Sequence, residues 1–276
     1  MKTIAILGAR GMLGQDVAAA AARAGYHVHC YDHHHGDITD AVALAQIVEN
    51  NDVVVNCAAF TAVDLAESKF EQSQRINAVG PGILGCLAAA AGKYVLHIST
   101  DFVFGENGGQ PLCESDPVNP LNVYGRSKYL GERLLTQSGC RCGIIRVAWT
   151  YGRYGNNFIS KILELAARLP ELKVVDDQVG SPTATANVAR AMLPFLEREI
   201  TGLYHYTDRG YASRYEVACF IASCRNLEVK ITPCASAEFN TPARRPLNSR
   251  FDCSKIDTVL DFQRPDWHEE VRRFLA

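Results

Sequence analysis

The sequence predicts an α/β protein, a doubly wound parallel sheet with a smaller C-terminal lobe. Three observations carry this. Short β-branched apolar runs alternate with Ala-rich helical runs through the first half, the pattern of a sheet covered by helices on both faces. Val53-Val54-Val55 is apolar at every position, which suits a strand buried on both sides. Beyond about residue 150 the rhythm loosens, and Pro170, Pro182, Pro194, Pro233, Pro242 and Pro246 punctuate shorter elements.

Taken in order, residues 3–7 read as the first strand and 12–24 as a helix closed by Gly25. Residues 26–31 form the second strand. A helix over 40–49 follows, with Asp37 or Thr39 near its cap. The third strand is 52–56, a single long helix occupies 68–91, the fourth strand is 94–98 and the fifth 143–147. A further helix spans 158–168. The second half is expected to shape a pocket rather than extend the sheet. No repeat or low-complexity linker separates the halves, so 1–150 and 151–276 read as one integrated unit, the second partly rejoining the first.

The chain has 276 residues, with 28 Lys+Arg against 30 Asp+Glu and a net charge of -2. That balance excludes a nucleic-acid or polybasic membrane role, because those partners demand a dense cationic field. Folding a chain of this mass removes roughly 32,000 Å² from water, ample for a core without disulfides. The N-terminal apolar run is too short for a signal-peptide core, and nothing approaches a membrane span of ~20 apolar residues, so a cytoplasmic location is expected. The 10 cysteines contain no Cys-x-x-Cys pair and read as reduced, buried thiols. His33-His34-His35 reads as a solvated loop, since consecutive side chains diverge and no partner lies at ligand spacing.

Gly8-Ala9-Arg10-Gly11-Met12-Leu13-Gly14 follows the first strand and opens a helix. The first glycine permits the tight turn, the second lets backbone approach a pyrophosphate, and the third allows close packing of helix on strand. The helix N-terminus adds N–H donors and the positive end of its dipole. This placement predicts a Rossmann-type dinucleotide site. Asp32, ending the second strand, could hold a ribose 2′-hydroxyl and favour NADH, whereas Arg10 argues for NADPH; both cofactors stay open. Asp37 and Ile38 belong to the loop expected to frame the adenine.

Tyr124 and Lys128 stand at i and i+4, on one helix face. A nearby ammonium stabilises a phenolate and is expected to bring its pKa toward the working range. Ser99-Thr100-Asp101 follows the fourth strand, where a parallel sheet delivers side chains to its ligand crevice. Thr100 can donate to a substrate carbonyl, and Asp101 can act as a cap, a sugar contact or an acid. Glycine loop, strand-end hydroxyl and Tyr/Lys helix together predict hydride transfer.

At these residues the sequence resembles the extended short-chain dehydrogenase/reductases and, within them, the dTDP-4-dehydrorhamnose reductases. The likeness extends over residues 56–64, 99–104, 119–128, 146–152, 177–183 and 243–249. It implies that NADPH or NADH reduces a 4-keto-6-deoxy nucleotide sugar, with 1–150 holding the cofactor and 151–276 forming a substrate-binding lobe. By position, Tyr124 would protonate the C4 oxygen, Lys128 would tune the phenol and bind ribose, and Thr100 would polarise the ketone. Gly8, Arg10, Gly11, Met12, Leu13, Gly14, Ala58, Ala59 and Phe60 would line the cofactor, with Tyr124 and Lys128 touching it too; Val63, Asp101, Phe102 and Trp149 would line the nucleotide sugar.

Phe60 and Phe102 depart from the polar or hydroxylated rings common in that group. The resemblance also implies a magnesium-bridged homodimer. Asp16 and Glu269 or Glu270 lie near the corresponding positions, but without ligand spacing they read as surface carboxylates and no metal is expected. Two rival readings share the scaffold: a nucleotide-sugar epimerase or dehydratase, and a non-catalytic dinucleotide-binding regulatory subunit.

Overall fold

A computed structural model describes residues 1–106 and 108–276. A six-stranded parallel sheet forms its centre: β1 (Thr3–Leu7), β2 (His27–Tyr31), β3 (Val53–Asn56), β4 (Tyr94–Thr100), β5 (Arg141–Val147) and β6 (Gly202–Tyr206), in spatial order β2-β1-β3-β4-β5-β6. Ile4, Ile6, Val55, Leu96 and Ile145 pack on one face beneath α1 (Met12–Arg23) and the helix Thr185–Arg198. Ala5, Leu7, Val54 and Val95 pack on the other beneath α2 (Ala41–Glu49) and the helix Gly80–Ala90. Both faces are therefore dry, which is why the third strand reads as an unbroken valine run.

The expected fold class is met, with four corrections of detail. β6 comes from the second half and pairs with β5 along Gly202–Tyr206, so that half does extend the sheet; its alternating Tyr204 and Tyr206 join the core on one face. The strand was hidden because its buried residues are aromatic rather than aliphatic. The cap of α2 is Asp40, which accepts from the Val42 and Ala43 N–H groups, while Asp37 is spent on a turn to Thr39. β4 runs two residues further than expected, to Thr100.

The long helix expected over 68–91 is instead α3 (Val63–Ser68), α4 (Phe70–Gln74), a widened π-type turn at Arg75–Val79, and α5 (Gly80–Ala90). Pro81 explains the widening. It has no N–H to give to the Asn77 carbonyl four residues earlier, so the regular ladder breaks there. The freed carbonyl packs against Gly131 of α6 (Val123–Gln137), where a Cβ would lie only 2.0 Å from Asn77 O.

All ten cysteines are free, but burial was expected too widely: Cys142, Cys234 and Cys253 are buried, whereas Cys30 and Cys86 are exposed. Glu270, expected at the surface, is also buried and pairs with Arg273 at 2.6 Å. Asp16 accepts from the Thr185 hydroxyl at 2.5 Å. Among the described residues no cluster of three or more His, Cys, Asp or Glu is placed to hold a metal, and no helix is long and apolar enough to cross a membrane.

Candidate active site

The chain leaves β1 toward β2 on one side and β3 on the other, so a crevice opens at the carboxyl ends of β1 and β3. Gly8 sits there with φ +71°, and a Cβ on it would lie 2.7 Å from the Ala58 backbone. Only glycine lets the two strand ends approach this closely. α1 then begins at Gly11 with no side-chain cap, leaving the first N–H groups of the helix open to an anion. Met12 and Leu13 are partly exposed at that end, as are Ala58, Ala59 and Phe60 across the crevice. The uncapped donors and the glycine-lined approach fit the pyrophosphate of a dinucleotide.

Asp32 and Arg10, which argue in opposite directions from sequence, bind one another: Arg10 Nε lies 2.8 Å from Asp32 Oδ2. Asp32 Oδ1 accepts from the His34 and His35 backbone and contacts His35 Nδ1 at 2.9 Å. The His35 contact leads in holding the carboxyl down to about 2. The histidine triplet is thus an exposed turn capping Asp32. Ile38 packs its side chain into the core with Leu44 and Ile47, and Asp37 remains at the surface.

The Tyr/Lys helix is placed by close backbone contact. A Cβ on Gly125 would fall 2.0 Å from the Phe102 carbonyl, so glycine lets α6 press against the turn that follows β4. Asn122 caps α6 at the Gly125 N–H, and Glu67 accepts from the Val123 N–H at 2.8 Å. Tyr124, Lys128 and Glu132 follow along one buried face.

Burial dominates the electrostatics. It pushes the Tyr124 phenol up to about 12, against a lowering hydrogen bond from Thr100. The expectation that Lys128 would pull the phenol down is therefore corrected: desolvation wins, and Tyr124 remains a neutral proton donor at neutral pH. Burial also pulls Lys128 down to about 8, opposed by Glu132 and Cys57. Lys128 Nζ donates to the Ile98 carbonyl at 2.6 Å.

Thr100 Oγ1 donates to Asp101 Oδ1 at 3.0 Å and accepts from the Phe102 N–H at 3.2 Å. Its single proton thus has two competing acceptors, Asp101 and the Tyr124 oxygen. Asp101, buried, also accepts from Ser249 Oγ at 2.5 Å; burial raises its pKa, while Ser249, Thr100 and Arg214 oppose the rise. The second half of the chain therefore holds the residue beside the catalytic strand end.

A cavity of about 630 Å³ opens there, lined by Phe102, Trp149, Phe158, Arg214, Arg245 and Ser249 among others. Val63 clusters with Phe60, Phe102 and Tyr124 at its edge. Trp149 adopts φ +49°, and Arg214 stacks over its ring at 3.6 Å. Arg245 is held by Asp64 and Arg244 by Glu106. Among the described residues Arg214 forms no carboxylate ion pair, and burial draws its pKa down to about 10.

Sequence reasoning missed Asn77, Glu132, Arg214 and Ser249. Asn77 Oδ1 accepts from the Phe60 N–H at 2.7 Å and its Nδ2 donates to Ser127 Oγ at 2.9 Å, tying the cofactor-side loop to α6. Glu132 was legible as the next i+4 position after Lys128, and Ser249 closes the 243–249 stretch that carries the family likeness; Arg214 carried no local signal.

Fold and site together define a dinucleotide-dependent oxidoreductase of the extended short-chain dehydrogenase class. The chain belongs to the family described as the RmlD substrate binding domain, matched over residues 1–276. It is 40% identical to the dTDP-4-dehydrorhamnose reductase of Mycolicibacterium smegmatis, over 99% of this chain and 85% of that one. The Escherichia coli protein of the same name is 35% identical over 99% of this chain and 96% of its own. The crystal structure of the Bacillus anthracis dTDP-4-dehydrorhamnose reductase in complex with NADP superposes with a TM-score of 0.95 at 32% identity, covering 99% of this chain and 98% of that one.

Proposed function

We propose that this chain catalyses the NAD(P)H-dependent reduction of the C4 ketone of a dTDP-4-dehydro-6-deoxy sugar, giving dTDP-L-rhamnose. The observation that carries it is the hydrogen bond between Thr100, at the end of β4, and Tyr124, with Lys128 one turn on along the same helix face, in a chain whose full-length relatives bear that name. The bound dinucleotide supplies the hydride. Residues 1–150 hold it, through the uncapped start of α1, Arg10, Ala58, Ala59 and Phe60, and residues 151–276 complete the substrate pocket.

Tyr124 gives its proton to the ketone oxygen as the carbon is reduced. Its neutral state suits this direction, because a donor must begin protonated. Lys128, one turn on along the same helix face, would hold the nicotinamide ribose, and Thr100 and Asp101 would orient the sugar. Val63, Phe102 and Trp149 line the apolar side. A cytoplasmic location is the reading that the free thiols and the demand for reduced dinucleotide support.

The direct test is NADPH and NADH oxidation with purified protein and dTDP-4-dehydro-L-rhamnose, followed by product analysis. Stoichiometric dinucleotide consumption with dTDP-L-rhamnose formed is expected; turnover without net consumption would mean an epimerase or dehydratase instead.

Arg214, which lines the cavity and among the described residues forms no carboxylate ion pair, is assigned to the diphosphate of the nucleotide sugar. Arg214→Ala is expected to raise KM for that substrate by roughly 10- to 100-fold, as befits a lost charged hydrogen bond, and to leave KM for NADPH nearly unchanged. Equal effects on both constants in steady-state kinetics would remove the assignment.

A further inference from the structure

Behind Lys128 lies a polar chain that the reaction scheme above does not use. Asn56 ends β3 and His97 lies beside it on β4, in direct register. The Ala58 N–H donates to Asn56 Oδ1 at 3.0 Å. A backbone N–H can only donate, so that side-chain atom is the amide oxygen and the other is its NH₂. The NH₂ faces His97 Nδ1 at 3.0 Å. Nδ1 must therefore be the unprotonated, accepting nitrogen.

His97 is fully buried, and its burial beside Lys128 keeps it neutral. The ring's one proton then sits on Nε2, which lies 3.3 Å from Lys128 Nζ. Two donors cannot bond head to head. The Nε2–H contact is favourable only when Lys128 is the neutral amine, whose lone pair accepts it while an amine proton still reaches the Ile98 carbonyl at 2.6 Å.

We propose that His97, fixed as its Nε2–H form by Asn56, is a positioning residue that stabilises the neutral amine of Lys128 and so lets Lys128 serve as a proton reservoir for Tyr124. This rests on the reductase reading above. Once Tyr124 has protonated the substrate oxygen, the Lys128 ammonium passes one proton to the phenolate. Tyr124 becomes neutral again, Lys128 becomes an amine held by His97 Nε2–H, and solvent returns the proton. No electrons move in this step.

The other groups facing Lys128 fit the assignment. Tyr124 and Glu132 flank it on α6, and Cys57 approaches from the end of β3. Glu132 favours the ammonium but is already neutralised by Arg146 of β5 through contacts of 2.8 and 2.6 Å. The half-buried Cys57 thiol is pushed up to about 12 by desolvation and stays uncharged. Burial leads in favouring the amine, and His97 Nε2–H adds a directed contact that only the amine can accept.

The test has two arms. In the dinucleotide-free protein, ¹⁵N NMR of the imidazole is expected to show His97 as the neutral Nε2–H tautomer across pH 6–9; an Nδ1–H tautomer would overturn the proposal, whatever reaction the enzyme performs. In kinetics, His97→Phe removes the donor, so Lys128 stays an ammonium to higher pH. The alkaline limb of kcat is expected to move up by about one unit and kcat at neutral pH to fall about tenfold, the scale of one hydrogen bond, with KM for NADPH little changed.

His97→Gln, which keeps an N–H at similar reach, is expected to restore both the limb and kcat. Asn56→Asp offers an acceptor in place of the NH₂, turns the ring to its Nδ1–H form, and is expected to reproduce the His97→Phe limb with the ring still present. An unchanged pH profile in His97→Phe or in a folded Asn56→Asp protein overturns the proposal. Failure of the reductase reading would show differently, as absent turnover with the tautomer intact.

Discussion

Replacing Tyr124 with phenylalanine is expected to lower kcat for keto-sugar reduction by roughly 10²–10⁴-fold, the usual worth of a positioned general acid. The change removes one oxygen and keeps the ring, so the edge-to-face contact with Phe102 at 5.5 Å and the cluster with Val63 survive. Dinucleotide affinity, set at the other side of the crevice by the start of α1, should hardly move. Single-turnover rates with saturating NADPH, alongside a fluorescence titration of NADPH, separate the two effects. Turnover near that of the unmodified protein would remove Tyr124 as the proton donor. The structure explains why no neighbour could substitute. Lys128 lies a helix turn further along α6 than the phenol, and Asp101 is already engaged by Thr100 and Ser249.

The second large effect concerns stability. Glu132 and Arg146 form a bidentate pair, with both side chains almost completely buried between α6 and β5. Glu132→Leu leaves the Arg146 guanidinium in the core without its counter-charge, and a loss of about 3–5 kcal/mol in unfolding free energy is expected. That is a large share of the ~5–15 kcal/mol that holds a domain together. Pairing Glu132→Leu with Arg146→Met should recover much of the loss, since apolar groups of similar volume carry no desolvation penalty. Urea unfolding of the single and double variants decides this. Equal destabilisation in both would show that packing shape, rather than the uncompensated charge, sets the cost. The pair also bears on the site, because Glu132 favours the Lys128 ammonium and Arg146 offsets that charge.

Much of this molecule is legible in the residue order because it follows from local rules. A glycine trio between strand and helix requires a close turn whatever lies elsewhere, and Gly8 shows the reason in its positive φ and its approach to Ala58. An unbroken valine run demands two covered faces. Tyr124 and Lys128 share a helix face by the arithmetic of 3.6 residues per turn. Pro81 was just as visible, yet its consequence, the widened turn that aims Asn77 at Phe60, depends on α6 being pressed against it.

What the residue order determined by itself was the layered α/β architecture, the crevice for a dinucleotide, and the identity of a hydroxyl, a phenol and an ammonium suited to hydride transfer. Tertiary structure decided the rest. It set Asp32 against Arg10 rather than leaving either alone. It raised the phenol where the neighbouring cation alone would have lowered it. It brought Ser249 and Arg214 to Asp101 from more than a hundred residues away in the chain. Backbone propensity and side-chain periodicity act within a few residues and leave their mark in the local pattern. Desolvation, ion pairing and cavity shape depend on which distant segments exclude water from the same place, and only the folded chain specifies that.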